Sequence, residues 1–166
     1  MIEFLQILTI LIVAVLLAPT LGHALEMPGK MRLDREAYFA TQTIYWPGFT
    51  VIGGAAEILS IIATLALVVL TPTGSLDFWL VLGAFLLAAS LHAVYWVVVH
   101  PVNKTWVEDI GLKGDSRRFF EVGRAAGLPS AGWKALRDRW EYAHAVRAGM
   151  TLAALALVAT AAVVEG

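Results

Sequence analysis

Residues 76–100 read LDFWLVLGAFLLAASLHAVYWVVVH, Leu76 to His100, and this stretch decides the fold. A helix of about 20 apolar residues crosses ~30 Å of hydrocarbon, and this run meets that length. Yet His92 lies inside it and His100 closes it. Three further stretches have the same character, at about 2–25, 44–70 and 140–164. The first ends in His23 and Glu26, the second holds Glu57 deep inside, and the fourth begins with Glu141 and His144. The chain has 166 residues, 59% of them hydrophobic and 15% charged, too apolar for a soluble domain of this size. The expected fold is all-α. It is a four-transmembrane-helix bundle forming one integral membrane domain over 1–166, with a short cytoplasmic amphipathic helix between the third and fourth spans.

Charge sets the expected orientation. Lys30, Arg32 and Arg35 lie between the first two spans, and the other nine basic residues lie between or beside the third and fourth. The positive-inside rule then puts both basic loops in the cytoplasm and both termini outside. The N-terminal run lacks the basic start of a signal peptide, so it reads as a retained first helix. Thr71-Pro72-Thr73-Gly74-Ser75 reads as a tight turn, with Asp77 as a cap. In the long third loop, Ser116 to Ala126 reads as an amphipathic surface helix with Phe119, Phe120 and Val122 on its apolar side. Gly127-Leu128-Pro129-Ser130 ends it, and Ser130 caps a turn carrying Trp133 and Leu136. Trp46, Trp106, Trp133 and Trp140 suit an interfacial belt, and the Arg117/Arg118 pair suits lipid headgroups.

Composition also excludes. A formal net charge of −1 gives no reason to expect nucleic acid, and the absence of cysteine rules out disulfides, thiolate metal sites and covalently attached haem. The expected partners are the bilayer and a lipophilic small molecule. Gly53-Gly54 and the small residues Gly149, Ala153, Ala154 and Ala156 permit a homo-oligomer or docking to a redox complex.

Ionisable groups inside a membrane cost roughly 2.5–3.5 kcal/mol each on insertion scales, so histidine and glutamate on all four spans point to chemistry. His23 and Glu26 share a helix face, as do Glu141 and His144, with Arg147 one turn deeper, placed to neutralise Glu141 or Glu57. By helical rise, Glu57 lies about 15 Å beyond Pro47 and His92 about 12 Å beyond His100, which places the two at similar depth. His23, Glu26, Glu57, His100, Glu141 and His144 are the candidate metal ligands, for iron or copper, and they partly match the Glu-x-x-His pattern of di-iron bundles. Haem b is the other candidate cofactor, held by His92 with His144 or by His23 with His100. A site with no cofactor stays open beside both.

Three motifs bear on kinship. Gly22-His23-Ala24-Leu25-Glu26-Met27-Pro28 precedes Tyr38, Gln42, Tyr45 and Gly48-Phe49. His100-Pro101-Val102-Asn103 closes the third span. Trp140-Glu141-Tyr142-Ala143-His144-Ala145-Val146-Arg147 opens the fourth. Together they resemble the anthrone-oxygenase-like family of small four-helix membrane proteins over nearly the whole chain. On that resemblance Pro101, Asn103, Trp140, His144 and Arg147 occupy the family's recurring positions. The fungal members are similar to quinone-forming oxygenases of polycyclic phenolic anthrones and are regarded as needing no added cofactor. The Ala/Leu/Val-rich style suggests a bacterial inner membrane.

The leading expectation is a membrane-embedded oxidoreductase, an oxygenase in the narrower form, acting on a lipophilic aromatic or quinone-like substrate. His144 and His100 would be bases or ligands. Glu57 would carry protons or bind metal, and Asn103 and Arg147 would orient a substrate oxygen. His92 and Trp140 would bind the cofactor. The rivals are a haem-bearing accessory subunit of a redox complex, a non-enzymatic assembly protein and, as a third, a small proton-coupled transporter, which would need an oligomer.

Overall fold

The computed structural model describes residues 2–122 and 132–164. The described residues are 87% helical, and four helices among them are long and apolar enough to span a membrane. They are α1 (Ile2–Lys30), α3 (Gly48–Leu70), α4 (Leu76–Trp106) and α6 (Trp133–Val164). Two short α-helices, α2 (Arg35–Gln42) and α5 (Gly114–Glu121), and a 3-10 turn at Thr43–Tyr45 complete the helices of the described residues. Helix α1 packs on α3 and α6, and α4 packs on the same two, so the spans form a square ring in chain order. This is the expected all-α bundle.

The spans overrun the apolar stretches. Helix α1 continues through Pro28 to Lys30, α4 runs through Pro101 to Trp106, and α6 begins at Trp133, seven residues before the expected start near 140. Proline is tolerated in such helices because neighbours re-satisfy the freed backbone groups. Here the agent is visible. The α-helical partner of the Val97 carbonyl would be the N–H that Pro101 lacks. Instead Arg139 of α6 donates to that carbonyl through Nη2 at 3.1 Å, and to Val98 O through Nε at 3.4 Å.

Two of the spans are not uniformly α-helical. Gly48–Ile52 at the start of α3 and Tyr95–Val99 within α4 are π turns. Single π turns widen a helix locally and recur at functional sites. Both occur at the end of the bundle that carries the basic loops. At the opposite end Gly74 takes φ +89° in the α3–α4 turn, a conformation that favours glycine. Ser75 rather than Asp77 caps α4, its hydroxyl accepting from Phe78 N at 3.1 Å.

The core divides along the membrane axis. At the turn end it is built of small and aliphatic residues, Val13, Leu67, Val81, Ala84, Ala154, Val158 and Ala161. At the basic end it is aromatic, with Tyr38, Phe39, Tyr45, Trp106 and Trp140. Trp106 and Trp140 are therefore core residues and not part of an exposed interfacial belt: they are 1% and 4% exposed. The amphipathic helix spans Gly114–Glu121, two residues earlier than expected. It ends at Glu121, with Val122 as its cap; residues 123–126 of the expected segment, the Gly127–Ser130 stop and the Ser130 cap lie outside the described residues.

Candidate functional site

A cavity of about 280 Å³ lies between the spans at the basic end. Its walls are aromatic, with Tyr45, Trp46, Phe49, Tyr95, Trp96 and Trp140, and Phe119 and Phe120 of α5 border it as well. Trp46 meets the Phe119 ring at 5.7 Å between centroids. The polar groups that line it include His23, Gln42, Glu57, His92, Asn103, His144 and Arg147, with Thr20 and Thr50. Seven of the candidate site residues read from sequence thus line one space: His23, Glu57, His92, Asn103, Trp140, His144 and Arg147.

Glu57 is the hub. One carboxylate oxygen is bound by Arg147 Nη2, and the other accepts from His92 Nδ1 at 2.7 Å. Trp96 Nε1–H donates to His92 Nε2 at 2.9 Å. An indole N–H only donates, so Nε2 is the acceptor and the proton of the neutral ring sits on Nδ1. The equal depth expected of Glu57 and His92 is realised as this contact. Of the two carboxylates Arg147 was placed to neutralise, it takes Glu57. Its Nε has no partner among the described residues.

His144 lies one turn before Arg147 on α6. Its Nδ1–H donates to Trp140 O at 2.9 Å, which fixes the tautomer and leaves Nε2 with a lone pair. Nε2 has no hydrogen-bond partner among the described residues. Trp140 in turn donates from Nε1 to Asn103 Oδ1 at 2.8 Å, so Asn103, Trp140 and His144 form one linked unit. His23 packs edge-on against His144, with centroids 4.4 Å apart, inside a ring of Tyr45, Phe49 and Trp140.

Glu26, Glu141 and His100 are committed elsewhere. Glu141 is fully buried; it forms an ion pair with Lys30 Nζ and accepts from the Tyr38 hydroxyl, each at 2.8 Å. Lys30 also sits over the Trp140 ring, 4.6 Å from its centroid. Glu26 accepts the Tyr45 hydroxyl and lies 4.0 Å from Lys30. His100 does not line the cavity. It is 1% exposed, and its Nε2–H donates to Val122 O at 2.6 Å, tying the end of α5 to the third span. Outside the spans, burial and then the adjacent Glu141 carboxylate push the Tyr38 hydroxyl pKa well up.

These commitments bear on the cofactors. Among the described residues no three His, Asp or Glu side chains converge as a metal site would require. His23 and His144 are adjacent, but the carboxylates that would complete a centre are held by Lys30, Tyr38 and Tyr45. Haem fits no better. Both His92 nitrogens are engaged, His100 is outside the cavity, and the touching rings of His23 and His144 leave no room for a porphyrin between them.

Sequence reasoning missed Lys30 and Gln42 as parts of this arrangement. Lys30 counted only as a loop charge, although its i,i+4 spacing from Glu26 is a readable ion-pair signal.

The fold and site define an integral membrane protein with a polar, aromatic-walled cavity inside a four-helix bundle. No family model, curated protein or solved structure matches the chain.

Proposed function

We propose that this protein is a membrane-embedded oxidoreductase of the anthrone-oxygenase-like kind, acting without a bound metal or haem on a lipophilic, oxygenated aromatic substrate. The observation that carries this reading is the cavity itself. The lining of an aromatic space of about 280 Å³ carries a histidine whose Nε2 has no partner among the described residues, and the Arg147 guanidinium. Few convergent polar groups in an otherwise apolar cleft are the usual make-up of a small-molecule site.

In this reading the aromatic body of the substrate lies between Tyr45, Phe49, Trp96 and Trp140. His144 Nε2 removes a proton from the activated carbon or hydroxyl, as a neutral imidazole does near neutral pH. Arg147 stabilises the oxyanion that develops, with its own charge held in place by Glu57. The electron-rich anion then reacts with dioxygen. A ring CH₂ and one O₂ yield a ring carbonyl and one water. Asn103 keeps Trp140, and through it His144, in position. The basic loops face the cytoplasm of a bacterial inner membrane, in keeping with the charge asymmetry.

The test uses protein in nanodiscs, with anthrone as substrate and oxygen uptake as the readout. His144→Ala is expected to lower turnover by about 10²–10⁴-fold, the usual worth of a general base. Elemental analysis and an optical spectrum of the same sample are expected to show neither stoichiometric metal nor a Soret band. No uptake by the wild type across a panel of lipophilic phenols and anthrones would overturn the proposal.

A further inference from the structure

The cavity is bordered on one side by residues that also face outward. Gly54 and Ile58 of α3 and Trp96 of α4 all line it, and all three are exposed, Ile58 at 46% and Trp96 at 40%. A residue does both only where the space reaches the surface. These residues lie well inside their spans. Gly54 is six and Ile58 ten residues past Gly48, about 9 and 15 Å along the axis at 1.5 Å per residue. The surface they reach is therefore the hydrocarbon layer and not the water above it.

The packing explains the gap. Helices α3 and α4 touch along Gly53–Leu70 and Leu76–Val94, but the π turn at Tyr95–Val99 packs on α6 instead. The two spans thus part toward the basic end, where each carries its π turn. Gly54 sits in the parting. A Cβ built there meets no atom within 4 Å, so glycine is not required by packing, and its missing side chain leaves the passage open. Gly53 differs, because a Cβ there would touch Pro19 at 3.4 Å.

We infer that Gly54, Ile58 and Trp96 frame a lateral portal through which molecules dissolved in the bilayer pass directly into the cavity. The portal admits uncharged lipophilic compounds and has no route for ionic ones, since a charge would have to cross hydrocarbon to reach it. The inference concerns how the cavity is reached and is independent of the reaction proposed there.

The chain has no cysteine, so a single introduced thiol reports without background. Thr20 lines the cavity and is 3% exposed, which makes Thr20→Cys the reporter. The full-length protein in nanodiscs is treated with N-cyclohexylmaleimide, which partitions into lipid, or with charged sulfonatoethyl methanethiosulfonate. Adding Gly54→Phe is expected to slow the lipophilic reagent about tenfold or more, as blocked access slows association, while Gly54→Ala leaves its rate nearly unchanged. The charged reagent is expected to show no response to either. Ile58→Trp provides a second plug should Gly54→Phe misfold by circular dichroism. Three results would overturn the portal. They are an unchanged lipophilic rate in both plugged variants, an equal slowing of both reagents, and no lipophilic labelling of Thr20→Cys with Gly54 in place, as when a second copy covers this face. Because labelling needs no turnover, its failure and the failure of the proposed reaction are read separately.

Discussion

Glu57 and Arg147 join the second and fourth spans by an ion pair whose side chains are only 6% and 7% exposed. Such a pair is costly to assemble in a low dielectric, and costlier still to leave half-made. Truncating either member leaves an uncompensated charge inside the bundle. Glu57→Met and Arg147→Met are each expected to cost about 3–5 kcal/mol in a reversible detergent-unfolding titration. The double variant, with both charges gone, is expected to be much closer to the wild type. If both single variants fall within about 1 kcal/mol of wild type, the range of exposed pairs, the pair is solvated and is not a buried tie between the two spans.

His92 offers a spectroscopic prediction. With Trp96 N–H donating to Nε2 and Glu57 accepting from Nδ1, the neutral ring holds its proton on Nδ1. Nitrogen-15 spectra of histidine-labelled protein at neutral pH are expected to show a protonated Nδ1 and a bare Nε2 for this residue. Trp96→Phe removes the indole donor and is expected to broaden or shift the Nε2 signal. The opposite tautomer in the wild type would contradict these two hydrogen bonds.

The Tyr38–Glu141 contact gives a pH dependence whose sign is fixed. Burial and Glu141 raise the Tyr38 pKa above the unfolded value near 10. The contribution is therefore fully present below about pH 10 and is lost as pH rises through the folded pKa, because the unfolded chain releases this proton first. Thermal stability is expected to fall above about pH 10 in the wild type, and to fall less steeply in Tyr38→Phe. Tyr38→Phe should also be less stable at neutral pH by about 1.5–3 kcal/mol, the worth of a hydrogen bond to a charged group. Parallel alkaline slopes in the two proteins would separate the stability loss from this tyrosine.

What the sequence revealed follows from which signals are local. The four spans were legible because each is a continuous apolar run, and the Glu57–His92 meeting was legible because helical rise converts residue number into depth. Lys30 was misread because a lysine near a span end serves topology in most membrane chains. Its burial against Glu141 depends on α1 continuing past Pro28. His100 was equally opaque: its partner is a backbone carbonyl 22 residues on, and any residue at 122 would present one. The π turns at Gly48–Ile52 and Tyr95–Val99 carry no residue signature, yet they accompany the parting of two spans and so the cavity's opening.

Pro101 and Arg139 depend on each other across two spans. Pro101 leaves the Val97 carbonyl without its α-helical donor, and Arg139 reaches from the fourth span to supply one. Without that donor the carbonyl sits near the membrane interface with its hydrogen bonding reduced. Arg139→Ala is thus expected to lower stability by about 1 kcal/mol, the net worth of a typical hydrogen bond. Pro101→Ala restores a backbone N–H to the helix. In that background Arg139→Ala is expected to cost little, so the double-mutant cycle should show clear coupling between residues on different spans. Additive losses in the cycle would mean that Arg139 acts through its charge at the interface and not through the carbonyl that proline leaves open.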